Sequence, residues 1–114
     1  MKTSPIGSLD REVALARMGG DGELLKEIAS LFLENYRDWL GEIRQAAAVG
    51  DAQTVERTAH GLKGSVANFG ARNAVEASLN LENLGRSRDL AGATESLAAL
   101  EQALEALRGD LESL

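Results

Sequence analysis

The chain contains one histidine, His60, and the residues around it suit an imidazole that accepts a chemical group. If this stretch is helical, Glu56 lies one turn before the ring and Lys63 one turn after it, on the same patch of surface. The Glu56 carboxylate can accept a hydrogen bond from one ring nitrogen and so orient the other, while the Lys63 ammonium can counter the charge of a phosphoryl group on the ring. Exposed charges at this spacing also occur as solvated side chains of little energetic weight, so the spacing alone leaves both interpretations open.

Two glycines next to the histidine bear on that choice. On a helical wheel His60 points about 140° away from a narrow apolar face. That face consists of Val55, Ala59, Leu62, Val66 and Phe69. Gly61 and Gly64 lie on the outer side, where each costs roughly 1 kcal/mol relative to alanine without serving the core. Their small size predicts a partner surface that docks over His60 and extends to Ala67 and Asn68. The plainer alternative is that helical glycines are tolerated beside an idle surface histidine.

Composition excludes most other chemistry. With one histidine and no cysteine, the chain offers neither a Cys/His zinc site nor a reactive thiol. The sequence identifies no serine nucleophile beside a base and no glycine-rich phosphate loop, so we expect no catalytic activity, nucleotide, cofactor or metal of its own. The net charge of −6 argues against nucleic-acid binding. Because no apolar run approaches the roughly 18 residues of a membrane span, and no signal peptide is evident, we expect a cytoplasmic protein without membrane contact.

The elements that must position His60 are predicted to be helices throughout. Strand-forming residues are sparse, and Pro5 is the one proline. We predict a flexible tail over residues 1–7 and a single domain over residues 8–114. Helices are predicted over residues 9–18, 22–49, 52–69, 72–84 and 90–114, with Ser8 and Asp21 capping the first two. The second segment is one helix or two with a break near Asn35. Its apolar stripe comprises Leu25, Ile28, Phe32, Trp39, Ile43 and Ala46, widened by Leu24, Leu31 and Leu40.

The last helix carries the most regular apolar pattern in the chain. Its apolar residues alternate spacings of three and four over residues 90–114, which is a heptad seam. Such a seam by itself is typical of a coiled-coil dimer. Because the preceding helices carry seams of their own and the connections are short, the pattern favours an antiparallel up-down four-helix bundle with a short extra N-terminal helix, in a monomer.

The stretch AHGLKGSVANFGA, residues 59–71, resembles the signature of histidine phosphotransfer (HPt) domains. His60, Leu62, Lys63 and Gly64 fall in register with the family pattern, and so does the closing Phe-Gly-Ala of residues 69–71. A looser similarity extends through residues 25–34, residues 81–86 and the final leucine seam. Gly61 departs from the pattern, since the family often has serine or another small polar residue there.

The resemblance implies a role in multistep phosphorelays. His60 would accept a phosphoryl group from the aspartate of a response-regulator receiver domain, alone or in a hybrid histidine kinase, and pass it to another receiver. Lys63 would then steady the phosphoryl group, Gly64 would provide clearance, and Mg²⁺ would belong to the receiver partner. Some members carry a polar residue near the histidine on the following helix. The equivalent here is Glu82, a carboxylate that would itself repel phosphate.

Two alternatives stay open beside the relay module. One is the phosphoacceptor domain of a chemotaxis-like histidine kinase, whose donor would be ATP on a kinase domain. The other is a non-catalytic helical adaptor or coiled-coil dimer that uses the seam of residues 90–114. The ending of residues 68–71 looks more like relay domains, which favours the relay over the kinase domain.

Overall fold

The computed structural model describes residues 7–114, and this part of the chain forms five helices and no strands. In chain order they are α1 (Arg11–Arg17), α2 (Gly22–Ala48), α3 (Ala52–Ala67), α4 (Arg72–Ser87) and α5 (Ala93–Glu112). The predicted tail lies outside the described residues except for Gly7, whose carbonyl accepts a hydrogen bond from the Asn73 amide at 2.8 Å. None of these helices combines the length and the apolar character that a membrane span requires.

The predicted cap of the first helix was wrong, whereas the cap of the second is confirmed. Asp10, not Ser8, caps α1 by accepting a hydrogen bond from the amide of Val13, and Asp21 caps α2. The Ser8 hydroxyl instead donates to Asp110 in α5 at 2.7 Å. An aspartate two residues later competes for the same orphan amides, and the long-range bond gives Ser8 a partner that local sequence cannot indicate.

The second segment is one continuous helix of 27 residues. The Asn35 side chain, where a break was considered, donates to the Leu31 carbonyl within the same helix. The predicted stripe was too wide, because Leu31 is 55% exposed and Leu24 also faces solvent. Tyr36, which the prediction omitted, is buried and stacks on Phe32 with 5.4 Å between the ring centroids. An aromatic body can fill the core while its hydroxyl meets a polar group, which explains why Tyr36 belongs inside.

The helices on either side of the 68–71 turn end differently from the prediction. Helix α3 ends at Ala67, two residues before the predicted end at residue 69. The chain then turns at Gly70, which has a φ of +60° and lies next to the Asp10 side chain. Helix α4 continues past the predicted end at residue 84 and stops where Arg88 adopts a left-handed conformation at φ 58°. Gly85 therefore lies inside the helix, and it is buried there rather than opening a turn.

The four long helices pack as neighbours in a closed order. Helix α3 contacts α4, α4 contacts α5, α5 contacts α2, and α2 contacts α3, while the short α1 packs on α2. The leucine seam of α5 points into this core instead of forming an exposed stripe. Its buried members are Ala93, Leu97, Leu100, Leu104, Leu107 and Leu111. Within the described residues, most of the seam is therefore satisfied inside the chain.

Candidate functional site

Helix α3 orients His60 through its apolar face. Every residue of the face predicted on the helical wheel is buried, so the helix is fixed in rotation about its axis. Val55, Ala59, Leu62 and Val66 lie on α3 itself, and Phe69 lies in the turn that follows it. The His60 side chain, on the opposite side, is 67% exposed. The sequence therefore predicted correctly that the imidazole faces solvent.

A buried carboxylate from the next helix holds the ring. Glu82 on α4 is 2% exposed, and its Oε2 lies 2.8 Å from Nδ1 of His60. Lys63 donates to Oε1 of the same carboxylate at 2.6 Å, and Arg86 donates from Nη2 to Oε2 at 2.9 Å. A carboxylate withdrawn from water needs such donors, because an unpaired buried charge is strongly destabilising. Glu82 thus gathers the imidazole and two cations at one point of the α3–α4 contact.

The charge of Glu82 determines which ring nitrogen carries the proton. Burial is the largest single influence and raises the pKa of Glu82, but the hydrogen bonds and charges of Lys63 and His60 together outweigh it and hold that pKa below the ordinary value of 4.5. The carboxylate is therefore ionised near neutral pH and can only accept hydrogen bonds. Nδ1 of His60 must then be the donor, which leaves the lone pair of a neutral ring on Nε2.

The structure corrects the expected role of Glu56. This carboxylate does not contact the imidazole and instead accepts a hydrogen bond from Nε of Arg86 at 3.3 Å. The acceptor for Nδ1 is Glu82, which approaches from across the helix contact. Glu56 was favoured because it lies one turn from His60, whereas a residue 22 positions away is brought to the ring only by the packing of α4 on α3. The objection that a carboxylate at Glu82 repels phosphate is offset by the two cations bound to it.

Gly85 allows that approach. A Cβ atom at this position would lie 2.6 Å from the Glu56 backbone nitrogen and 2.7 Å from the Ala52 carbonyl oxygen, so any side chain would force the helices apart. The two backbones can therefore come close one turn from Glu82. A sequence signal existed, since Glu82 and Arg86 are spaced four apart on α4 around a glycine, but the predicted helix ended at residue 84 and left Gly85 outside it.

The surroundings of His60 are open on the side of the predicted docking residues. A Cβ atom at Gly61 or Gly64 would meet no described atom outside its own helix within 4 Å, while Ala67 and Asn68 are half-buried one turn further on. A groove of about 530 Å³ runs beside Gly61 between α2 and α3. Its lining includes Trp39, Glu42, Arg57 and Ser65. Among residues 7–114, no three His, Asp or Glu side chains are grouped to hold a metal ion.

Comparison with known proteins places this geometry in a family context. The family model of the Hpt domain matches residues 27–110, a range that includes every residue of the site. The crystal structure of histidine-containing phosphotransfer protein B from Pseudomonas aeruginosa PAO1 is similar to this structure, with a TM-score of 0.87 at 23% sequence identity. The match covers 96% of this chain and 95% of that one, and at this identity it shows a shared fold. No curated protein matches the sequence.

Proposed function

Because this chain belongs to the Hpt domain family, we propose that His60 accepts a phosphoryl group from a receiver-domain aspartate and passes it to the aspartate of another receiver. The family makes the chain a histidine phosphotransfer module of phosphorelays, and we propose that it carries phosphoryl groups rather than catalysing a reaction of its own. The observation that carries the proposal is the exposed imidazole whose Nδ1 is held by buried Glu82.

The ring geometry supports attack by Nε2. Its lone pair forms the P–N bond in line as the P–O bond to the donor aspartate breaks, and the aspartate keeps that oxygen and the electron pair. Nδ1 retains its proton, so the phosphorylated ring carries a positive charge next to the Glu82 carboxylate. The stored phosphoryl group leaves by the reverse process when a second aspartate attacks phosphorus. No proton has to move in either direction.

Lys63 is proposed to stabilise charge on the phosphoryl group. Its side chain is 28% exposed, and it is bound to the same carboxylate as the ring, so the ammonium starts beside the reacting group. A cation placed there counters the negative oxygens that approach the ring during transfer. In the unphosphorylated protein the same ammonium helps to keep Glu82 ionised.

Docking of the receiver is proposed to occur over the open side of α3. Gly61 and Gly64 leave room for a partner to bring its aspartate to the ring, and Ala67 and Asn68 extend this low surface. The groove beside Gly61 offers both an apolar surface and the charge of Arg57 to a partner. Phosphoryl transfer depends on positioning, so an unobstructed approach is as important as the nucleophile itself.

The remaining features of the proposal concern context. We propose that the chain binds no cofactor, that Mg²⁺ belongs to the receiver partner, and that the protein acts as a cytoplasmic monomer, without nucleic acid or membrane. Residues 8–114 are proposed to be one domain, with α2 to α5 arranged as an antiparallel up-down bundle and α1 as the extra helix. The short connections between the helices support that arrangement.

The proposal is tested by labelling. A receiver domain carrying phosphoaspartate is mixed with the wild-type chain and with His60→Gln, whose fold is checked by circular dichroism. We expect acid-labile, base-stable phosphate on the wild type and none on the variant. Labelling that survives His60→Gln would refute the assignment. Labelling by ATP and an isolated kinase core, with no receiver competent, would assign the chain instead as a phosphoacceptor domain of a chemotaxis-like kinase.

A further inference from the structure

We propose that Arg86 is a positioning residue for His60, acting through Glu82 without touching the reacting atoms. The inference rests on the proposed phosphoryl transfer only for its functional consequence. Its structural basis is a chain of contacts from Glu56 to Arg86, from Arg86 to Glu82, and from Glu82 to Nδ1 of His60.

The guanidinium joins the two helices at the site. Its Nη2 donates to Glu82 on its own helix at 2.9 Å, and its Nε donates to Glu56 on α3 at 3.3 Å. Arginine suits this position because its planar fork presents several donors in fixed directions. The close backbone approach at Gly85, the preceding residue, brings the base of the Arg86 side chain next to Glu56. The glutamate on α3 thus limits where the guanidinium can lie, and the guanidinium limits where the Glu82 carboxylate can turn.

Arg86 and His60 share one oxygen of the carboxylate. Both donate to Oε2, whereas Lys63 donates to Oε1. If Arg86 is removed, Glu82 can rotate toward the Lys63 ammonium and away from the ring. The proton on Nδ1 then loses its fixed acceptor, and the lone pair is no longer confined to Nε2. Arg86 therefore controls the tautomer of a ring that it does not contact.

When His60 is phosphorylated, Arg86 has to hold the Glu82 carboxylate without Lys63. The phosphoryl oxygens attract the Lys63 ammonium, which then turns from Glu82 to the new anion. Glu82, which is 2% exposed, would then keep only the Nδ1 proton of the ring as a donor, were it not for Arg86. The Arg86 side chain is 60% exposed, but its guanidinium is bound by both Glu56 and Glu82. It can therefore stay on Glu82 while Lys63 moves. In the phosphorylated protein Lys63 thus binds the phosphoryl group, and Arg86 binds the Glu82 carboxylate.

Nitrogen NMR of the imidazole tests the proposal directly, because the single histidine gives a spectrum of His60 alone. We expect the neutral ring of the wild type to be protonated predominantly on Nδ1, where Glu82 accepts the hydrogen bond. Arg86→Ala should give a mixture of both tautomers and slow phosphoryl acceptance roughly 3- to 10-fold. Arg86→Lys should restore part of the effect, since a lysine offers one point charge and no fork. Arg44→Ala is the matched control, because Arg44 forms an exposed pair with Glu101 at another helix contact and its loss changes the charge equally.

The outcomes separate this proposal from the proposed function. A folded Arg86→Ala protein with the wild-type tautomer and transfer rate would overturn the positioning role. If Arg86→Ala does not fold, Glu56→Ala supplies the second test, because it removes the acceptor of the Arg86 Nε hydrogen bond. The same tautomer shift, smaller in size, is expected, and its absence would contradict the proposal. If the wild type accepts no phosphoryl group from any receiver, the proposed function fails, while the tautomer comparison still decides whether Arg86 positions the ring.

Discussion

The contact between α3 and α4 differs in chemical character from the contacts that α5 makes with α2 and α4. The contact between α3 and α4 contains a buried carboxylate, a glycine that brings the backbones together, and the residues that hold His60. Helix α5 contributes apolar side chains to the core, all of them alanine or leucine. Buried apolar side chains stabilise the fold without needing hydrogen-bond partners, whereas a buried carboxylate is retained only where each of its oxygens accepts a hydrogen bond. The α5 seam therefore contributes to the stability of the fold, whereas the polar α3–α4 contact holds the groups of the proposed chemistry.

The sharpest way to separate the two sides is to obstruct the site without disturbing the core. Gly64→Trp places a large ring beside His60 in open space, so we expect phosphoryl transfer to fall below detection while the helix content is unchanged. Gly109→Trp on α5 is the matched control, since that glycine is also helical and exposed with open space around it. Transfer should be measured from a phosphorylated receiver to each variant. Unimpaired transfer in Gly64→Trp would contradict docking on this face.

The converse change removes stability and leaves the site intact. Leu104→Ala opens a cavity in the buried seam and should lower the free energy of unfolding by about 2–5 kcal/mol. In the remaining folded protein the imidazole tautomer should match the wild type, because no seam residue contacts Glu82 by hydrogen bond or ion pair. Leu31→Ala, at a position 55% exposed, is the control and should change stability by less than about 0.5 kcal/mol. Chemical denaturation measures both. A shift of the His60 tautomer in Leu104→Ala would show that the α5 seam and the His60 site are coupled.

Alanine substitutions at two glycines test the close approach of the α3 and α4 backbones. Gly85→Ala forces a methyl group against the α3 backbone, which cannot give way, and should cost about 1–3 kcal/mol. Gly61→Ala adds the same methyl group in open space, where better helix propensity should raise stability by up to about 1 kcal/mol. Denaturant unfolding of both variants gives the two signs. A neutral or stabilising Gly85→Ala would mean that the helices are not held in contact there.

The smallest expected effect is the acid dependence that Glu82 adds. Because the pKa of Glu82 is lowered in the folded protein, its ionised form contributes stability above the ordinary value of 4.5, and this is lost as the pH falls through the lowered pKa. Glu82→Gln should therefore lose less stability than the wild type between neutral and acidic pH. Asp51 and Glu105, whose pKa values are also lowered, titrate in both proteins and cancel in the difference. Parallel curves of unfolding free energy against pH would contradict the ionised state of Glu82.

Much of the apolar organisation could be predicted from the sequence. The seam of α5 and the apolar face of α3 follow from residue spacing, and the exposure of His60 follows from that face. These predictions succeed because helical periodicity and the burial of apolar surface act locally along the chain. The widened stripe of α2 shows the limit, since Leu31 has the right type and spacing yet is 55% exposed.

The polar contact could not be predicted in the same way. The partner of Nδ1 depends on how α4 packs on α3, which no spacing within α3 can reveal, and the local candidate Glu56 was chosen for that reason. Gly85 gave a signal that was misinterpreted, because a glycine near a helix end is typical both of a stop and of a close approach between backbones. The choice between the two depends on what lies opposite, so it becomes evident only in the fold.

The most direct test of the central claim is the nitrogen and phosphorus NMR spectrum of the phosphorylated chain. With one histidine, every imidazole signal belongs to His60. We expect phosphorus bonded to Nε2 with a proton retained on Nδ1, where Glu82 accepts its hydrogen bond. Phosphorus bonded to Nδ1, or phosphate carried by another residue, would contradict it.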